Sequence, residues 1–169
     1  MVSGVQISAA PTLIMLKETS IQQTASEILQ EVEPICITLK EELIIDFVDI
    51  FPQTETEKEN LTREIKTLGQ RVTQTDTGMV YKLDSPIKTK FGPLTLIKIR
   101  IVDSTKTQHG APDFKVENYL TFKQKYIEDG RFTLIVRKKY EMLELKTKNI
   151  LIYFPNITLS ESLSPEKYD

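Results

Sequence analysis

The 169-residue sequence predicts an α+β fold, with N-terminal helices packed on a mainly antiparallel β-sheet that is laid out as a β-hairpin followed by β-α-β-β-β. Apolar residues recur with the helical period from Ile21 to Val72. At Asp76-Thr-Gly78 the period changes, and the apolar runs beyond it are short and strand-like. The last three runs are joined by short connections, which favour antiparallel pairing because a parallel partner needs a long crossover.

The helices come first in the chain. Ile21, Ala25, Ile28, Leu29 and Val32 share one helical face, with Thr19 or Ser20 as the N-cap. Pro34 should end or kink that helix, and it suits the first position of a second one carrying Cys36, Leu39, Leu43, Phe47 and Val48. Past Phe51-Pro52, Thr54 with Glu57, or Thr56 with Glu59, has capping-box spacing and opens a third helix with Leu61, Ile65, Leu68 and Val72 on one stripe. Short strands are expected at 79–83 and 87–91, separated by Asp84-Ser-Pro86 and closed by Gly92-Pro93. The clearest strand is 94–103, where Ile97, Ile99 and Ile101 point one way and Lys98 and Arg100 the other. The polar stretch 104–114 reads as a loop, followed by a short helix within 116–129. Strands at 132–136, 140–146 and 150–154 complete the sheet. The chain thus divides into a helical region, 1–78, a sheet region with one helix, 79–155, and a tail, 156–169, within one compact domain. No internal sequence repeat is evident.

Composition narrows the function. Hydrophobic residues at 40% and charged residues at 27% are near globular averages, and a chain this long buries a core without metal or disulfide staples. No cofactor is therefore needed for folding, and none is identified. The single Cys36 lies in an apolar pattern and reads as a buried thiol in a reducing, cytoplasmic setting. The N-terminus has an apolar patch at 13–16 but no basic leader, and no run approaches the roughly 18 apolar residues of a membrane span. Charge is uneven: residues 1–78 carry 6 Lys/Arg against 13 Asp/Glu, a net of −7, whereas 79–148 carry 15 against 8, a net of +7. Such halves either pair with each other, mate with another copy in a homo-oligomer, or offer the basic half to an anionic ligand or nucleic acid.

There is no Gly-rich phosphate loop, CxxC, HExxH or GxSxG. With one His and one Cys, a zinc site of the usual composition cannot be built within one chain, and no metal ligand is assigned. Two local features carry the chemistry that remains. His109, the only histidine, has Asp113 four residues on, so a carboxylate stands near to orient the imidazole as an acid or base. Gly110 and Pro112 equally suit a polar turn, in which Asp113 caps the next helix. Glu144 and Lys146 flank Leu145 on a strand and so share a face, with Leu143 and Leu145 turned to the core. A diffuse basic group, Lys98, Arg100, Arg137, Lys138 and Lys139, has tyrosines near it in sequence, the mixture that binds phosphates and stacks bases.

Pro112-Asp113 with Glu144-Leu145-Lys146 resembles the PD-(D/E)XK nucleases. That resemblance implies Mg²⁺ held by Asp113 and Glu144, with Lys146 activating water or stabilising charge. The order β-α-β-β-β over 94–154 is similar in outline to one module of the vicinal oxygen chelate, or glyoxalase-like, proteins, which pair two such modules and often place His and Glu metal ligands on strands. The leading expectation is a small soluble binding or interaction protein using the polar, partly basic sheet face and the 104–114 loop. The alternative is a metal-assisted hydrolase or nuclease with Asp113, Glu144 and Lys146 as its site and His109 as an accessory acid or base.

Overall fold

The structure, a computed structural model, describes residues 20–164. Thr19, the patch at 13–16 and the end of the tail lie outside the described residues. Helix α1 (Ile21–Leu39) takes Ser20 as its N-cap, whose hydroxyl accepts from the Gln23 amide, and buries the anticipated Ile21, Ala25, Ile28, Leu29 and Val32 face. The helix runs on through Pro34 and stops at Lys40, whose φ of 55° is left-handed. The second helix expected across Cys36 and Val48 is thereby corrected: Cys36 and Leu39 extend α1, and the chain then forms strand β1 (Leu43–Ile50). β1 lies mid-sheet and is buried on both faces, so it lacks the alternation of a half-exposed strand. Its apolar residues fall at helical spacing from Cys36 by coincidence.

Helix α2 (Glu55–Leu68) is capped by Thr54, which accepts from the Glu57 amide. It ends where strand β2 (Gly69–Thr75) begins, so Val72 belongs to a strand and is exposed. Strand β3 (Gly78–Thr89) is continuous where two strands were expected, with Asp84-Ser-Pro86 inside a register shift between Lys82 and Ile87. Strand β4 (Gly92–Arg100) contains Gly92-Pro93 as its start. Strand β5 (Gly110–Val116) is the largest correction on this side, since 104–114 was read as a loop throughout. Pro112 is the reason: a proline argues against a central strand because it has no N–H to donate. Helix α3 (Tyr119–Tyr126), strands β6 (Phe132–Val136), β7 (Glu141–Lys146) and β8 (Leu151–Pro155), and the short helix α4 (Leu159–Leu163) follow. Within the described residues the molecule is α+β, with four helices and one mixed, mainly antiparallel, eight-stranded sheet of order β2-β3-β4-β1-β5-β8-β7-β6.

This order contains the same unit twice. In both β1-α2-β2-β3-β4 and β5-α3-β6-β7-β8 the first strand runs parallel to the last, and the others pair antiparallel. The two units meet where β1 and β5 pair antiparallel. The single module expected over 94–154 is corrected: it begins at Gly110, not Leu94, and a second copy precedes it. The repeat is one of topology, without an echo in the sequence.

The main apolar cluster joins Ile21 to Leu39 of α1, Leu61 and Ile65 of α2, and Phe122 and Tyr126 of α3 with one face of the sheet, including Val48, Ile97, Phe114, Leu143 and Phe154. Acidic residues of the first half pair with basic residues of the second within the chain: Glu33 with Lys90, Glu41 with Lys125 and Asp49 with Lys98. Among the described residues, no helix is long and apolar enough to cross a membrane.

Gly110 is where α1 comes closest to the seam. A Cβ there would stand 2.4 Å from Ile28 Cδ1 and 2.6 Å from the Asp49 carbonyl oxygen. Gly110→Ala is expected to destabilise the protein by about 1–3 kcal/mol in urea unfolding, the cost of overpacking. Gly130→Ala, where a Cβ meets nothing within 4 Å, should stay within about 0.5 kcal/mol.

Candidate functional site

The sheet face turned away from α1, α2 and α3 is also largely buried. Two small apolar clusters lie on it, one of Phe47, Val80 and Leu96, the other of Phe51, Ala111, Met142, Leu151 and Tyr153. Leu159 of α4 is the one helical hydrophobic packed on these clusters among the described residues.

Register sets polar groups in rows across this face. One row reads Leu96, Phe47, Asp113, Tyr153, Glu144 over β4, β1, β5, β8 and β7. The adjacent row reads Val80, Lys98, Asp49, Ala111 over β3, β4, β1 and β5. Asp49 and Asp113 are thus diagonal neighbours, with Cβ atoms on the order of 7–8 Å apart. Asp49 Oδ1 stands 3.2 Å from Lys98 Nζ, an ion pair whose side chains are 3% and 10% exposed. Lys98 Nζ also lies 5.1 Å from the Phe47 ring centroid, and the Arg100 guanidinium lies 4.5 Å from that of Phe51. The cations of this interior therefore rest on aromatic faces as well as beside carboxylates.

Burial pushes the Asp49 carboxyl above the usual range, and Lys98 and Arg100 pull it back. Asp113 is pushed well above that range, first by burial and then by the Asp49 charge, with Asp46 adding to the effect and Lys98 and Arg100 opposing it. Its Oδ1 is buried and makes no hydrogen bond. Tyr153 is likewise raised, by burial and by the Glu144 carboxylate directly opposite. Asp46 has a different task. It occupies the bulge between Ile45 and Phe47, and its carboxylate accepts from the Leu159 and Ser160 amides and the Ser160 hydroxyl, which fastens α4 over this face. Lys115 holds Glu161 of the same helix at 2.8 Å.

The residues singled out in the sequence are distributed unevenly. Asp113 and Glu144 share a row, but Tyr153 on β8 stands between them. Lys146 is exposed and lies opposite Leu151. His109 is exposed at the entry to β5, where its amide donates to the Asn149 carbonyl and its carbonyl accepts from the Phe51 amide. Lys98 and Arg100 point inward, whereas Arg137, Lys138 and Lys139 form the exposed β6–β7 turn. Strands β1, β5 and β8 separate those two groups, so the basic residues do not make one surface. Asp46, Phe47 and Asp49 were not anticipated as site residues, and Tyr153 only as one of the tyrosines near the basic group in sequence. The signal for the first three was present in "LIIDFVDI", where two carboxylates interrupt an otherwise apolar run.

No family model matches the sequence. No curated protein matches it either. Among solved structures, one from structural genomics, Protein EC4020, aligns with 97% of this chain and 100% of its own at a TM-score of 0.67 and 10% identity. At that identity the likeness shows a shared fold alone. A second, a glyoxalase/bleomycin resistance protein/dioxygenase superfamily member from Vibrio splendidus 12B01, covers 67% of this chain and 97% of its own at a TM-score of 0.40 and 6% identity.

Two stability measurements probe the polar rows. Lys98→Met strands the Asp49 charge in the interior and is expected to cost about 3–5 kcal/mol in urea unfolding. Adding Asp49→Leu to that variant should recover most of the loss, because the uncompensated charge goes with it. For Asp113, the folded protein keeps its proton to higher pH than the unfolded chain, where the group titrates near about 3.9. Stability then falls as pH rises from that unfolded value toward the folded one. Asp113→Asn removes the slope, so denaturation over a pH series should find the variant more stable than wild type at neutral pH and level with it in acid.

Proposed function

We propose that this protein binds a small polar ligand on the inner face of its sheet, with Asp113 as the principal contact. One observation carries the reading: among the described residues Asp113 Oδ1 is buried without a hydrogen bond, in a row shared with Tyr153 and Glu144 and beside the Asp49–Lys98 ion pair. A buried acceptor left unpaired costs on the order of 1–3 kcal/mol, and a donor brought by a ligand removes that cost. The 104–114 segment takes part through its β5 half, which bears Asp113, while His109 stands at the strand's entry. The hydrolase alternative draws less support, because Lys146 is exposed and Tyr153 separates the two carboxylates. Nucleic-acid binding by a single basic face is disfavoured by the three strands, β1, β5 and β8, between Arg100 and the Arg137–Lys139 turn.

The test is a chemically mixed fragment screen followed by thermal unfolding of wild type and Asp113→Asn. A ligand present at 100 times its dissociation constant stabilises the folded state by about 2.7 kcal/mol. Fragments that raise the wild-type midpoint and leave the Asp113→Asn midpoint unmoved are expected. A screen whose hits act equally on both proteins would remove Asp113 from the site and with it this reading.

A further inference from the structure

We infer that the ligand of this face carries an organic cation, an alkylammonium group, seated on the Asp113 carboxylate between the rings of Phe47 and Tyr153. The inference rests on the binding role proposed above and adds the chemical class. Three features of the interior support it.

The first is the charge balance. Lys98 and Arg100 match Asp49 and Glu144 in number, and the Asp46 carboxylate is occupied by the α4 amides. That leaves the Asp113 carboxylate without a cationic partner. A buried ionised carboxylate needs one, and lacking it the group retains its proton. An incoming ammonium supplies the missing charge.

The second feature is what flanks the carboxylate. Phe47 lies opposite Asp113 on β1 and Tyr153 opposite it on β8, each one strand spacing of about 4.8 Å away. Aromatic residues thus border Asp113 on both neighbouring strands, and an aromatic face attracts a cation within roughly 6 Å. Phe47 already plays this part for Lys98, as Phe51 does for Arg100.

The third feature is donor count. A hard divalent ion requires several oxygen ligands converging on one point. Among the described residues there is no cluster of three or more His, Cys, Asp or Glu side chains spaced to hold a metal. One carboxylate bordered by two aromatic residues suits an ammonium group, which needs few donors, better than a divalent ion that demands several oxygens. Leu159 of α4 packs on the Phe47 cluster, so that helix borders the site.

The groups around Asp113 predict a proton exchange: Asp46 and Asp49 on β1, Lys98 and Arg100 on β4, Glu144 on β7 and Tyr153 on β8. Below the pH at which folded Asp113 ionises, binding the ammonium transfers the Asp113 proton to buffer, one per ligand.

The experiment titrates the full chain with n-butylammonium chloride, n-butanol and sodium butyrate at constant ionic strength by calorimetry, in buffers of different ionisation heat. The ammonium is expected to bind at least tenfold more tightly than either matched probe and to release close to one proton. Asp113→Asn should weaken it at least tenfold. Phe47→Leu should weaken it severalfold while leaving the proton release in place. Asp113-dependent binding of butanol or butyrate instead would keep the site and overturn the cationic class. Ammonium binding that neither substitution diminishes, or no binding by any of the three, would overturn the inference, and the mixed fragment screen then judges the site separately.

Discussion

Because β1 and β5 each open a module and lie side by side mid-sheet, the antiparallel ladder between them is the one strand pairing of the two halves among the described residues. Every polar position on the inner face is measured from it: Phe47 opposite Asp113, Asp49 opposite Ala111. A slip of one residue would turn Asp49 and Asp113 toward α1 and bring Val48 and Phe114 to the inner face. The apolar packing of α1 on that seam fixes the register. Gly110, with no side chain, lets Ile28 and the Asp49 backbone approach together, and the bulge at Asp46 takes up the one residue by which the two strands differ.

Such a layout puts stability and chemistry on opposite sides of one sheet. The helix side is almost wholly apolar, with Ile97, Phe114, Leu143, Ile152 and Phe154 fully buried there. The inner side buries three carboxylates, Asp46, Asp49 and Asp113, and one cation, Lys98, in a low-dielectric space, where an ion pair roughly breaks even against apolar residues of the same volume. Nothing about folding asks for Asp113 at a position bordered by Asp49 and a tyrosine. Residues that oppose the stability of their own surroundings are characteristic of binding and catalytic positions, where the cost is retained for what the group does.

How far the sequence disclosed this depended on exposure. The first half of helix α1, the third expected helix and strands β6 and β7 each leave some residues exposed, so their periods are visible, whereas β8, buried throughout, was found as a short apolar run between turn signals. The alternation Ile97, Lys98, Ile99, Arg100 correctly separated the two faces of β4. β1 and β5 were missed because central strands with two buried faces have no alternation, and Pro112 disguised the second of them. With both opening strands misread, the paired modules collapsed into one, and the sites on those strands were misplaced with them. Asp113 was identified, yet as a loop residue beside His109; Asp49 was absorbed into a helix boundary. Glu144 was placed on the right face of the right strand, while Tyr153, one strand over, had no polar neighbour in sequence to mark it.

Pro112 has a mechanical side as well. The ladder between β5 and β8 amounts to one register pair, Asp113 with Tyr153, and one isolated bridge, Gly110 with Ile150. Neighbouring strands are laced together far more fully, from Leu43 to Ile50 on one side and from Met142 to Lys146 on the other. That thinly bonded line lies inside the second module and runs through Asp113 itself. A guest seated at Asp113 would press on the line with the fewest backbone bonds in this part of the sheet, on the side away from the apolar layer beneath α1.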